Sequence, residues 1–222
     1  NSRRGTTTAS SNAADGTTAA GAARPPVDEA NPRAVNSWGH IVRWNETGGD
    51  ATALTFDWDI FLLAGQPSNA GLPNAPSSNI NADNLFNSPD GLAFDSFGRL
   101  WIQTDGSFAN TGDYVGQGNN QMLVADINTK QITRFMVGPD GCEVTGVCWT
   151  PDGKTMFINI QHPGEVGSHP NRPTSFAPYA GMDAFIANNP TAFSKWPEGA
   201  SSGRPRSGTV VIRKNDGGVI GT

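Results

Sequence analysis

Two carboxylates, Asp90 and Glu143, stand 53 positions apart without a nearby Lys or Arg. Brought to one point they would repel strongly unless a cation lay between them. Calcium, which takes carboxylate and carbonyl oxygens without demanding strict geometry, is the natural candidate. Taken singly, each is also readable as a carboxylate that caps a turn. His162, directly before Pro163-Gly164-Glu165, is the better candidate for a catalytic proton or phosphate handler; His40 is the other, since His169 falls in a loop. A lone histidine is as readily a hydrogen-bonded structural residue. Arg3 and Arg4, beside Asn1, could bind an anionic substrate bidentately or stand solvated. Cys142 and Cys148 form no CxxC and have no matching His cluster, which argues against a redox motif or zinc site; two half-buried thiols or a local disulfide fit. Gly116-Gln117-Gly118 is followed by no Lys-Ser/Thr and is no phosphate loop.

The elements that must place these groups are short strands. From His40 onward, runs of apolar, β-branched and aromatic residues end in Gly, Asn, Asp or Pro. Strands are expected over 40–44 and 53–63, the latter with Phe56, Trp58, Ile60 and Leu62 on one face, and then over 92–94, 99–103, 121–127, 131–137, 146–150, 155–160, 209–213 and 219–220. The stretch 163–205, rich in Pro, Asn and Ser, reads as a long loop with one helical turn at 192–196. The hairpins repeat: Gly91 aligns with Gly146 and Gly98 with Gly153, both pairs 55 positions apart. A four-strand unit recurring at such a period is the pattern of a β-propeller blade, with a β-sandwich as the alternative. The fold class is therefore all-β, a partial β-propeller: half a blade over 40–63, a full blade over about 89–137 and a second over about 143–221. Asp90 and Glu143 then stand near the start of inner strands, where blades converge. Two and a half blades leave sheet edges unpaired, so further blades are expected to come from the same protein or another chain.

Composition bounds the rest. With 27 glycines and 16 prolines among 222 residues, and 16% charged residues against a usual ~25%, turns are favoured over helices. Residues 1–37 are rich in Thr, Ala, Ser, Asn and Gly and read as a flexible loop or arm ahead of a domain over 38–222. The net charge of −5 and the lack of a dense basic run argue against nucleic acid as a partner. The longest purely apolar run, 60–64, is far short of the ~20 residues of a membrane span, and any export signal would lie outside the chain.

Several segments carry a family resemblance. Gly39-His40-Ile41-Val42-Arg43-Trp44, Trp58-Asp59-Ile60-Phe61-Leu62-Leu63-Ala64-Gly65, Ser88-Pro89-Asp90-Gly91-Leu92-Ala93-Phe94-Asp95, Gly141-Cys142-Glu143-Val144-Thr145-Gly146 and Asn159-Ile160-Gln161-His162-Pro163-Gly164-Glu165 together resemble the C-terminal part of PhoX-type alkaline phosphatases, over residues 31–222. The resemblance implies a bacterial, periplasmic or secreted phosphomonoesterase on a six-bladed propeller, using iron and calcium and exported by a twin-arginine signal. It also implies that the iron-binding cysteine and glutamates lie upstream of the segment matched, since no Asp-Arg-Pro-Glu motif occurs here, and that this chain by itself is inactive. A calcium-dependent propeller lactonase and a non-catalytic propeller binding module are the competing readings.

Overall fold

The computed structural model describes residues 28–33, 36–167, 169–199 and 203–222, so the arm expected over 1–37 lies largely outside the described residues. The chain divides into two units, Asn1–Pro89 and Asp90–Thr222.

In the first unit, β1 (His40–Glu46) and β2 (Phe56–Leu63) form an antiparallel two-stranded sheet. In the connection between them, residues 47–49 make a tight turn with Gly48 at φ +70°. A register shift between Ile41 and Val42 leaves Phe61 as an extra residue of β2, and both Phe61 and Leu62 are buried. The expected one-faced alternation of Phe56, Trp58, Ile60 and Leu62 therefore breaks at this bulge, because one inserted residue turns the following side chains to the opposite face. Arg33 holds the segment before β1 in place: its guanidinium donates to Ala64 O and Gly39 O, each at 2.6 Å, and lies over the Trp38 ring. Burial pushes this guanidinium down to about 10. His40 belongs to the same net, with Nδ1 2.9 Å from the Asn36 side-chain nitrogen, which is the structural role weighed for it.

The second unit contains two antiparallel sheets. One is four-stranded, in the order β3 (Pro89–Phe94), β4 (Leu100–Thr104), β5 (Gln121–Ala125), β6 (Ile132–Val137). The other is three-stranded: β7 (Glu143–Trp149), β8 (Thr155–Gln161), β9 (Gly208–Arg213). They share one core, in which Trp101 and Met122 of the first sheet meet Val144, Met156, Ile158 and Ile160 of the second, closed by Cys142 and Ile220. Trp101 sets its ring edge-on to Phe135 and tilted to Trp149. Such pairs contribute about 0.5–1.5 kcal/mol each beyond the area they bury.

Two sequence expectations fail here. Residues 219–220 form no strand: the Ile220 amide donates to Gly153 O at 3.0 Å, and the Arg99 guanidinium takes the carbonyls of Ile220 and Gly221. The last sheet therefore has three strands rather than four. Residues 192–196 form no helix, and the Trp196 amide bonds the Ser194 hydroxyl at 3.3 Å rather than a carbonyl one turn back. The one α-helix among the described residues is α1 (Met182–Asn188), inside the long loop. Phe185 of this helix packs against Phe176, Tyr179 and Phe193, and His169 sits between Phe193 and Phe108, so an aromatic cluster ties that loop to the connection after β4.

Candidate metal centre

Asp90 is the second residue of β3, Asp105 follows β4 directly and Glu143 opens β7. One carboxylate oxygen from each comes within 4.8 Å of the others. The structure thus brings Asp90 and Glu143 together and adds Asp105, which sequence reasoning missed. The repeat contained a signal for it. Past the turn, Gln103 corresponds to Asn159, so Asp105 corresponds to Gln161, the residue just before His162.

Glu143 is buried, whereas Asp90 and Asp105 are exposed. Burial, and after it the Asp105 carboxylate, pushes the Glu143 carboxyl above the usual carboxylate range; Asp90 adds to this and His162 works against it. Glu143 faces Gln161 across the β7–β8 ladder and accepts a 2.6 Å hydrogen bond from its side-chain amide. His162 stands between two carboxylates, with Nε2 3.5 Å from Glu143 Oε2 and Nδ1 3.5 Å from Glu165 Oε2. Its backbone is in the left-handed region, at φ +37°, and its amide donates to Ser207 Oγ at 3.0 Å. The amides of Gly164 and Glu165 donate to the carbonyls of Asp140 and Gly141 at 2.8 and 3.1 Å. The Gly-Cys-Glu and Gln-His-Pro-Gly-Glu segments, distant in sequence, are therefore neighbours that orient one another.

Three carboxylates with no Lys or Arg partner among the described residues form an all-oxygen donor set of the kind that suits calcium. The cysteine-containing iron set has no counterpart among the described residues. Cys142, next to Glu143, is fully buried in the hydrophobic core, where burial pushes its thiol up to about 12, and it is not one of the three clustered groups. Cys142 and Cys148 are both free, the first buried and the second exposed, rather than both half-buried or joined. Arg3 and Arg4 lie outside the described residues. No helix among the described residues is long and apolar enough to cross a membrane.

The family model described as alkaline phosphatase PhoX matches residues 7–164. No curated protein matches the chain. Among solved structures, that of Pseudomonas fluorescens PhoX in complex with vanadate, a transition state analogue, is 48% identical to this chain with a TM-score of 0.72. The similarity covers 86% of this chain and 29% of that one.

Proposed function

The chain belongs to the PhoX alkaline phosphatase family, and on that premise we propose that it supplies one part of a metal-dependent phosphomonoesterase whose remaining segments complete the site. The observation that carries this reading is the convergence of Asp90, Asp105 and Glu143 beside Gln161 and His162, inside the region that the family model matches. On this reading the four- and three-stranded sheets are propeller blades, the two-stranded sheet is half of another, and the parent protein is exported. Asp90, Asp105 and Glu143 hold calcium. When bound, it would offset their mutual repulsion and present positive charge to phosphoryl oxygens. Gln161 fixes the Glu143 carboxylate by its 2.6 Å bond. His162, with a half-exposed ring, is placed to meet the phosphate monoester or its leaving oxygen while Glu165 and Glu143 limit its rotation. Iron, with its cysteine ligand, belongs to other parts of the protein, and Arg3 and Arg4 remain candidates for phosphate contact. Family membership favours this reading over a lactonase or a binding module.

The test is metal analysis and p-nitrophenyl phosphate turnover of the full-length protein carrying Asp90→Asn, Asp105→Asn or Glu143→Gln. Each should lower both calcium content and turnover by more than the roughly 10- to 100-fold that changes behind a ligand typically cost. Wild-type calcium content in all three variants would reduce these carboxylates to turn caps.

A further inference from the structure

The Asn120 side chain lies just before β5 and is 4% exposed. Its Oδ1 accepts from Thr104 Oγ1 at 2.9 Å and from the Gly106 amide at 2.7 Å. Its Nδ2 donates to Gly106 O at 3.2 Å and to Cys142 O at 2.8 Å. Thr104 and Gly106 flank Asp105, and Cys142 precedes Glu143. One side-chain amide therefore holds the backbone just after one candidate ligand and just ahead of another, and takes the hydroxyl of the residue that precedes the first. Thr104 Oγ1 is itself fixed by the Gln121 amide at 2.8 Å, and the Asn120 carbonyl accepts from Gly138 at 2.7 Å. The neighbouring Asn119 donates to Asp140 Oδ1 at 2.8 Å, a second tie to the segment that leads into Glu143.

This arrangement opposes the electrostatics. Asp105 and Glu143 repel in the absence of a cation, and Asp105 stands in an exposed connection that could relax away from Glu143. We propose that Asn120 is a positioning residue that holds the Asp105 and Glu143 backbones at ligating distance, so that the cation meets a preformed site. The inference rests on the calcium reading given above. Among side chains, only a short amide meets the requirement: it offers two donors and an acceptor with two lone pairs, and it adds no charge. An aspartate here would lose both donors and place a further negative charge against the Cys142 and Gly106 carbonyls.

The experiment measures calcium affinity of the full-length protein by chelator competition, alongside its melting temperature in excess chelator. Asn120→Ala should weaken calcium by roughly 10- to 100-fold. Ile132→Ala, a truncation in β6 that destabilises the fold through packing, should bind calcium as the wild type does. Thr104→Val, which removes only the hydroxyl arm of the clamp, should weaken calcium by about threefold; it carries the test should Asn120→Ala not fold. Wild-type affinity in Asn120→Ala, or in Thr104→Val where it stands in, would overturn the proposal, as would an equal loss in Ile132→Ala. If Asp105→Asn and Glu143→Gln weaken calcium while the Asn120 variant does not, only the positioning role falls. If those two also leave affinity unchanged, the calcium reading falls with it.

Discussion

In the β3–β4 hairpin the Gly98 amide closes the turn onto Asp95 O at 3.1 Å; 55 residues later, the Gly153 amide closes β7–β8 onto Thr150 O at 2.8 Å. Both glycines have positive φ, at +77° and +67°. The match extends inward, where Gly91 abuts the Gln103 side chain and Gly146 abuts that of Asn159. The hairpins differ at their ends. The first turn is locked by a buried charge: Asp95 accepts from the amides of Phe97 and Arg99, the Arg99 guanidinium at 2.7 Å and the Trp101 indole at 2.8 Å. The second turn has no buried charge: Thr150 donates to Asp152 and accepts from the Thr155 amide, and the exposed Asp152 accepts from the Lys154 amide at 3.1 Å. At the open ends the order reverses, since the first hairpin presents exposed Asp90 and Asp105 and the second a buried Glu143 with two side-chain partners. The turns repeat because a backbone geometry must be met twice, whereas the open ends diverge because each supplies different groups to one site.

The largest effect should come from breaking the charged lock. Asp95→Ala leaves Arg99 and the Trp101 indole without their carboxylate and should cost about 3–5 kcal/mol, whereas Thr150→Ala should cost about 1 kcal/mol, both read by urea unfolding. Burial works against the Asp95 carboxylate, yet the bonds from Trp101, Arg99 and Phe97 prevail and hold it below the usual range. A lowered carboxyl stabilises the fold fully above its unfolded value of about 3.9, and that contribution is lost as pH falls through the folded value. Wild-type stability should therefore decline on acidification below about pH 4 more steeply than that of Asp95→Asn. Parallel pH profiles would show that the neutral bonds, not the charge, lock the turn.

The same contrast explains what was legible in the sequence. Gly98 and Gly153 announce themselves because few other residues adopt their backbone, and the 55-residue spacing then places Asp90 and Glu143 near one end of paired hairpins. Asp105 lies in a polar connection without periodicity, and its place emerges only when the second strands of the two hairpins are aligned. Residues 219–220 have strand-forming side chains, but Arg99, more than a hundred residues earlier, takes the carbonyls of Ile220 and Gly221. No local pattern encodes that competition. The β2 bulge at Phe61 is hidden for a related reason, since an unbroken apolar run shows no insertion.

A narrower effect separates the two inner glycines. An added Cβ would lie 2.7 Å from Gln103 Oε1 at Gly91 and 2.7 Å from Asn159 Nδ2 at Gly146, but only Gly146 has positive φ, at +55°. Gly91→Ala should cost about 1–2 kcal/mol through overpacking alone. Gly146→Ala should add about 1–2 kcal/mol of backbone strain to a similar clash. Truncating Asn159 to Ala in the Gly146→Ala background should then recover the clash and not the strain. Full recovery, measured by urea unfolding of the double mutant, would show that the β7 backbone at Gly146, where the register against β8 shifts, adapts to a side chain.

The smallest effect concerns His162, whose counterpart in the first hairpin is Gly106, a residue with no side chain to offer. Its ring approaches Glu143 at 3.5 Å, against 2.6 Å for Gln161, and its side chain is 40% exposed. A half-exposed pair contributes about 0.2–1 kcal/mol, so His162→Ala should weaken calcium by no more than about fivefold in the full-length protein. If the ring meets the phosphate ester, turnover should fall further than calcium occupancy, and the excess loss should persist at saturating calcium. Equal losses in both, with turnover restored by added calcium, would confine His162 to steadying Glu143 and leave the proton or phosphate contact to a residue outside this hairpin.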